Sequence, residues 1–139
     1  MPNFQRITPV LVYEDIESGR DFLVSAFGLQ AGRIDRDDAG QVVHGEVHIG
    51  SEVIWLHRVT AEHGLASPRS QEAASGGLAI TVEDVDAHYE RARAAGATVD
   101  RAPVDQPYGR REYGARDCEG HRWWFGTPLS EGRGGTGRR

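Results

Sequence analysis

Glu14-Asp15-Ile16-Glu17 returns 69 residues later as Glu83-Asp84-Val85-Asp86. At the same distance His44 falls on Tyr113, Gly45 on Gly114, Ile54 on Trp123, Trp55 on Trp124 and Leu56 on Phe125. A shift of 69 residues held without a gap over more than forty positions implies two copies of one small structural unit. Any site is then to be read as two related half-sites.

Working outward from these two acidic turns, each copy shows the same order of elements. Ile7 to Tyr13 is rich in β-formers and reads as a strand. Asp15 is the expected N-cap of a helix whose apolar side carries Phe22, Leu23, Ala26 and Phe27, with Gly28 as its stop. Three strands follow: Leu29 to Asp35, Gln41 to Ile49 and Glu52 to Arg58. In the second copy Leu78 to Val82 is a strand. Asp84 caps a helix with Val85, Tyr89, Ala92 and Ala95 on its apolar face, and Gly96 ends it. Thr98 to Ala102, Glu112 to Arg116 and Arg122 to Gly126 are the remaining strands. The unit is therefore βαβββ, used twice, and the fold class is α+β.

The expected organisation is a single domain over residues 5–128, with a first module at 5–58, a polar linker at 59–76 and a second module at 77–128. Residues 129–139, almost without apolar side chains, are expected to form a flexible tail. A net charge of -5 argues against a nucleic-acid groove, which needs a clustered basic face, and suits a neutral or cationic ligand. No apolar run approaches the ~18 residues of a membrane span, and no signal peptide is evident at Met1 to Gln5. The single Cys118 excludes an internal disulfide. These features together predict a cytoplasmic protein without membrane or nucleic-acid partners.

Two βαβββ units, the Asp-[Ile/Val]-acidic turn after each first strand, and Asp117-Cys118-Glu119-Gly120-His121-Arg122 before the last strand resemble the vicinal oxygen chelate superfamily. That superfamily includes glyoxalase I, extradiol dioxygenases and the bleomycin-resistance proteins. The segment Asp105 to Tyr113 is similar to its glyoxalase/bleomycin-resistance-like branch. The resemblance implies that the two modules pair into an open, cup-shaped mixed sheet. It also implies a homodimer, often with exchanged strands, and a ligand pocket at the subunit interface.

Metal-using members carry a His seven residues before the turn Asp and a Glu four residues after the Gly of the Asp-x-x-Gly-His-Arg turn. The corresponding positions here are Thr8, Gly77, Trp55 and Trp124. Thr is a poor ligand for a divalent metal, and Gly and Trp side chains supply none. No cofactor is expected. His44, Glu46 and His48 alternate along one strand, with His57 on the next, as an alternative donor set. A strand spaces such side chains ~6–7 Å apart, and a polar strand face lining a wet cavity explains them equally.

Period-two alternation sorts the last strands into two faces. Ile54, Leu56, Trp123 and Phe125 are expected under the helices. Val53, Trp55, His57, Arg122 and Trp124 are expected on the concave, ligand-binding side. Trp55 and Trp124 either bracket a flat ring or fill the cavity left by the metal. His44, Glu46, His48 and His57 from the first half, and Tyr113 and Arg122 from the second, would orient a ligand, with Tyr108 at the pocket's edge. Arg122 would bind a ligand carboxylate or Glu46. Arg110 and Arg111 read as solvated loop charges, His121 as support for its turn, and His63 and His88 as surface residues. No nucleophile motif appears.

The expectation is metal-independent binding or sequestration of a small aromatic or heterocyclic molecule, as in antibiotic resistance. The alternative is a lyase, isomerase or dioxygenase of the superfamily, using a displaced metal site or cofactor-free acid–base catalysis by His44, Glu46 or His57.

Overall fold

The computed structural model describes residues 2–130; residues 131–139 of the expected tail lie outside it. The chain divides into two compact units, the first ending at Gln71 and the second beginning at Glu72.

The first unit opens with β1 (Val10–Tyr13) and α1 (Ile16–Phe27). The Asp15 carboxylate accepts the Ser18 N–H at 3.0 Å, satisfying a donor that the first helical turn leaves without a partner. Gly28, at φ 80°, takes the left-handed conformation that ends the helix, and its N–H returns to Val24 O at 3.2 Å. β2 (Gln30–Arg36), β3 (Val42–Ile49) and β4 (Glu52–Arg58) complete a four-stranded sheet in the order β1-β4-β3-β2. β1 runs parallel to β4, and the other pairs are antiparallel. Ile16, Leu23, Ala26 and Phe27 of α1 are buried, as are Val47, Ile54 and Leu56 of the sheet. The segment after β4 contains two one-turn 3-10 helices, Ala61–His63 and Pro68–Ser70. Its Ser67 is fully buried, and Arg69 pairs with Glu14 at 3.4 Å.

The second unit repeats the plan: β5 (Gly77–Thr81), α2 (Val85–Ala94), β6 (Thr98–Gln106), β7 (Arg110–Arg116) and β8 (Arg122–Pro128), in the order β5-β8-β7-β6. Asp84 caps α2 by accepting the Ala87 N–H at 3.1 Å. The helix stops at Ala94, so Ala95 is exposed rather than part of the apolar face; Val85 and Ala92 are the buried pair. β6 and β8 are longer than the sequence pattern indicates. Strand pairing past Ala102 and Gly126 carries them on, and the Leu129 N–H still bonds Gly109 O at 3.0 Å. Trp123 and Phe125 are fully buried, their rings stacked with centroids 6.0 Å apart. The assignment of Ile54, Leu56, Trp123 and Phe125 to the helix-covered faces holds. No helix among the described residues is long and apolar enough to cross a membrane.

Candidate functional site

The face of the second sheet turned away from α2 carries a cleft of about 240 Å3, formed along β6, β7 and β8. Its floor is Trp124, 38% exposed although an aromatic residue of a central strand. Two glycines give the indole room to lie down. A β-carbon on Gly77 would come within 2.6 Å of Trp124 Cζ3, and one on Gly114 within 3.3 Å of Cδ1. The ring therefore lies across the sheet, its six-membered side by β5 and its pyrrole side by β7.

Tyr108, in the turn between β6 and β7, stands at the cleft and is 59% exposed. Its hydroxyl donates to Glu112 Oε1, and that bond holds its proton above the usual tyrosine range. The other carboxylate oxygen, Oε2, accepts from Arg110 Nε at 2.9 Å. Arg110 lies over Gly126, where no β-carbon would fit, and donates to Thr81 Oγ1 and to Ile80 O, each at 3.0 Å. Arg110 is thus a half-buried member of β7, not a solvated loop charge. Arg111 points to the other face and pairs with Asp86 and Asp105. Arg122 lines the cleft, and its Nη1 donates to Asp100 Oδ2 at 2.9 Å. The same Asp100 holds Arg116 at 2.9 Å through Oδ1.

In the first unit, the face away from α1 gathers His44, Glu46 and His48 on β3. His44 Nε2 is 3.2 Å from Glu46 Oε2, and His48 Nε2 is 3.7 Å from Oε1, so one carboxylate lies between two imidazoles. Trp55 stands opposite Glu46, is 43% exposed, and meets the His44 ring edge-on at 5.9 Å. His57 stands opposite His44.

Tyr113 borders the cleft, but its ring and hydroxyl are turned away from it. It is fully buried beneath α2, stacked on Phe125 with centroids 5.5 Å apart, and its hydroxyl is 2.7 Å from His88 Nδ1. Burial pushes its phenol pKa up. His88, expected at the surface, is half-buried in this pair and packs on Phe125 at 4.2 Å. The physical reason lies in the hairpins. His44 faces His57, whereas Gly126, which is 69 residues beyond His57, faces Glu112, only 68 beyond His44. Two residues, Gly50 and Ser51, connect β3 to β4. Three residues, Cys118 to Gly120, separate Asp117 from His121 in the second hairpin, where the Asp117 N–H bonds His121 O at 3.0 Å. One extra residue turns every side chain of β7 to the opposite face relative to a constant shift. The wider turn is held by the buried Asp117 carboxylate, which accepts the N–H groups of Glu119 and His121 and the indole N–H of Trp123. Buried His121 supports that turn, as expected. Glu112, not Tyr113, is the counterpart of His44, and sequence spacing alone did not select it. Allowing for the longer second turn would have done so.

Residues 5–125 match the family model of the Glyoxalase/Bleomycin resistance protein/Dioxygenase superfamily. The chain belongs to this superfamily. It is 34% identical over 131 residues to protein Mb0911c of Mycobacterium bovis, covering 90% of this chain and 84% of that one. It is equally identical to Rv0887c of Mycobacterium tuberculosis, covering 75% of that protein. Among solved structures it is similar to TioX from Micromonospora sp. ML1, with 29% identity and a TM-score of 0.69, over 91% of this chain and 100% of that one. A glyoxalase-related enzyme from Clostridium phytofermentans shares the fold at a TM-score of 0.71 and 17% identity, over 92% and 98% of the two chains.

The metal of this superfamily's metal-using members does not fit the positions that resemblance assigns to it. Thr8, Gly77, Trp55 and Trp124 offer neither imidazole nor carboxylate, and the Trp124 ring takes the room beside Gly77 that a ligating side chain would need. The alternative set is no better arranged. Among the described residues no group of three or more His, Cys, Asp or Glu side chains is placed to hold a metal ion.

Proposed function

We propose that this glyoxalase/bleomycin-resistance superfamily member binds a small planar aromatic or heterocyclic molecule without a metal, and that Trp124 is its stacking platform. The observation that carries this reading is the Trp124 indole, laid flat on two glycines as the floor of a cleft instead of being packed away. An exposed indole face costs apolar hydration and gains nothing until a second ring covers it; stacking then adds about 0.5–1.5 kcal/mol beyond burial. Tyr108 supports the reading chemically. Its hydroxyl proton is committed to Glu112, so its oxygen offers the cleft a hydrogen-bond acceptor. Trp55, exposed on the first unit beside His44, is the related position of the other half-site.

A thermal-shift screen of small molecules tests this, because a ligand of the native state raises stability by mass action. Planar aromatic compounds are expected to raise the melting temperature of the wild type and to lose that effect in Trp124→Ala. Stabilising ligands that lack a flat ring, or that act equally on Trp124→Ala, would refute it. We also propose that the protein acts as a homodimer. Each four-stranded sheet has two edge strands, and Phe4, Ile7 and Val10, at and just before the start of β1, are exposed apolar residues.

A second reading rests on the Glu46 carboxylate held between His44 and His48. Such a pair is a general acid–base set for a proton transfer. Turnover of a bound compound that disappears in both His44→Gln and Glu46→Gln, with binding retained, would favour it over simple sequestration.

A further inference from the structure

One row across the second sheet runs Ala79, Trp124, Gly114, Arg101, each residue directly opposite the next on β5, β8, β7 and β6. Adjacent strands are about 4.8 Å apart, so β8 and β6 are separated by roughly 10 Å, with no side chain at Gly114 in between. Gly114 and Arg101 both line the cleft, and the pyrrole side of the indole reaches over the buried Gly114 toward β6. The span begins on an aromatic ring and ends on a guanidinium. The pairing of β6 with β7 is irregular on both sides of Arg101, and such bulges re-aim a strand's side chains.

The charges around the cleft are unevenly committed. Glu112 is taken up by Tyr108 and Arg110, and Asp100 by Arg116 and Arg122. The Arg101 side chain makes no hydrogen bond or ion pair among the described residues, yet it lines the cleft and its charge is felt at the Tyr108 hydroxyl. Two guanidinium groups (Arg101 and Arg122) and two carboxylates (Asp100 and Glu112) line the cleft, and of these four only Arg101 is uncommitted. The net charge of -5 over the whole chain pointed to a neutral or cationic ligand; the uncommitted charge lining this cleft is positive.

We propose that the cleft of the second unit selects a planar aromatic anion, its ring on Trp124 and its carboxylate or equivalent oxyanion paired with Arg101. The choice of charge rests on the platform reading above and extends it. A guanidinium offers a carboxylate two parallel N–H donors, and the neighbouring Tyr108 hydroxyl limits how far the anion can slide along β6.

The test uses three probes of one shape: 2-naphthoate, the neutral 2-naphthamide and the cationic 2-naphthylmethylamine. Each is titrated calorimetrically into the full-length protein. The wild type is expected to prefer 2-naphthoate over both others by about fivefold or more at low salt, as a partly exposed ion pair would give. That preference should shrink as salt rises. Arg101→Gln should bring the naphthoate-to-naphthamide ratio to about one, as expected when that pair is lost. Arg111→Gln, which changes a charge on the opposite face, should keep the preference. If the amide or the amine binds as well as 2-naphthoate, and binding still needs Trp124, the anion proposal is overturned while the platform stands. A naphthoate preference that survives Arg101→Gln also overturns it. If no probe binds in a Trp124-dependent way, both readings fall.

Discussion

Gly77 lies so close to Trp124 that a single β-carbon there would come within 2.6 Å of the indole Cζ3. The same β-carbon would come within 2.5 Å of the Arg122 carbonyl oxygen, so Gly77 leaves room for both the ring and the backbone of β8. Gly77→Ala is expected to lift or tilt the indole and to cost about 1–3 kcal/mol as an overpacking change. Denaturant melts measure the cost. Emission in a Trp55→Phe background, where Trp123 and Trp124 remain, should shift to the red as the Trp124 ring becomes wetter while Trp123 stays buried. An unchanged spectrum would mean that Gly77 does not seat the ring.

Trp123 and Trp124 are adjacent in sequence and opposite in role, the first fully buried and the second exposed. Trp123→Ala should cost about 3–5 kcal/mol of stability, as a core truncation. Trp124→Ala should cost less stability but weaken aromatic ligands by about 1–3 kcal/mol, the usual range for a lost stacking platform. Equal, severe unfolding by both would make Trp124 a structural plug.

Tyr113 shares its hydroxyl with His88 beneath α2. Tyr113→Phe should cost about 0.5–1.5 kcal/mol through that one lost bond, with little cavity formed. Ligand affinity should not change, because the hydroxyl does not reach the cleft. A Tyr113→Phe variant that folds normally but binds the naphthyl probes more weakly would contradict the face assignment.

Asp15 holds the N-terminus of α1, and its carboxyl pKa lies below the ordinary 3.8, chiefly because it accepts the Ser18 N–H. A lowered folded-state value means the stabilisation is complete above the unfolded-state value. It is lost as pH falls through the lower, folded one. Asp15→Ala should cost about 0.5–2 kcal/mol near neutral pH. Asp15→Asn should keep most of the cap while losing its acid dependence below about pH 4. Unfolding midpoints of the three proteins between neutral pH and strong acid provide the check.

The proposed homodimer rests on the sheet edge strands and the exposed Phe4, Ile7 and Val10. Light scattering at micromolar concentration is expected to give twice the chain mass of 15.3 kDa. A monomer at all concentrations would remove the homodimer from the proposed function.

Much of the fold could be read from residue order. Asp15 and Asp84 announced the helix starts, because a short acceptor side chain before an apolar-periodic run is the local solution to unpaired N–H groups. Alternation separated Ile54 and Trp123 from Trp55 and Trp124, because successive strand side chains must point to opposite faces. These are short-range constraints, and the chain carries them wherever it goes.

Tertiary structure decided what depends on pairing between distant strands. The three-residue turn held by Asp117 slips β7 by one position relative to β3. That slip sends Tyr113 under α2 and brings Glu112 to the cleft. Arg122 pairs with Asp100 of β6, a partner that the sequence did not indicate. Arg110 resembled a loop charge until Gly126 and Thr81 made a place for it. The row from Trp124 through Gly114 to Arg101 joins residues of three strands. No local pattern encodes it, because register is a property of the assembled sheet and a single inserted residue is enough to reverse a face.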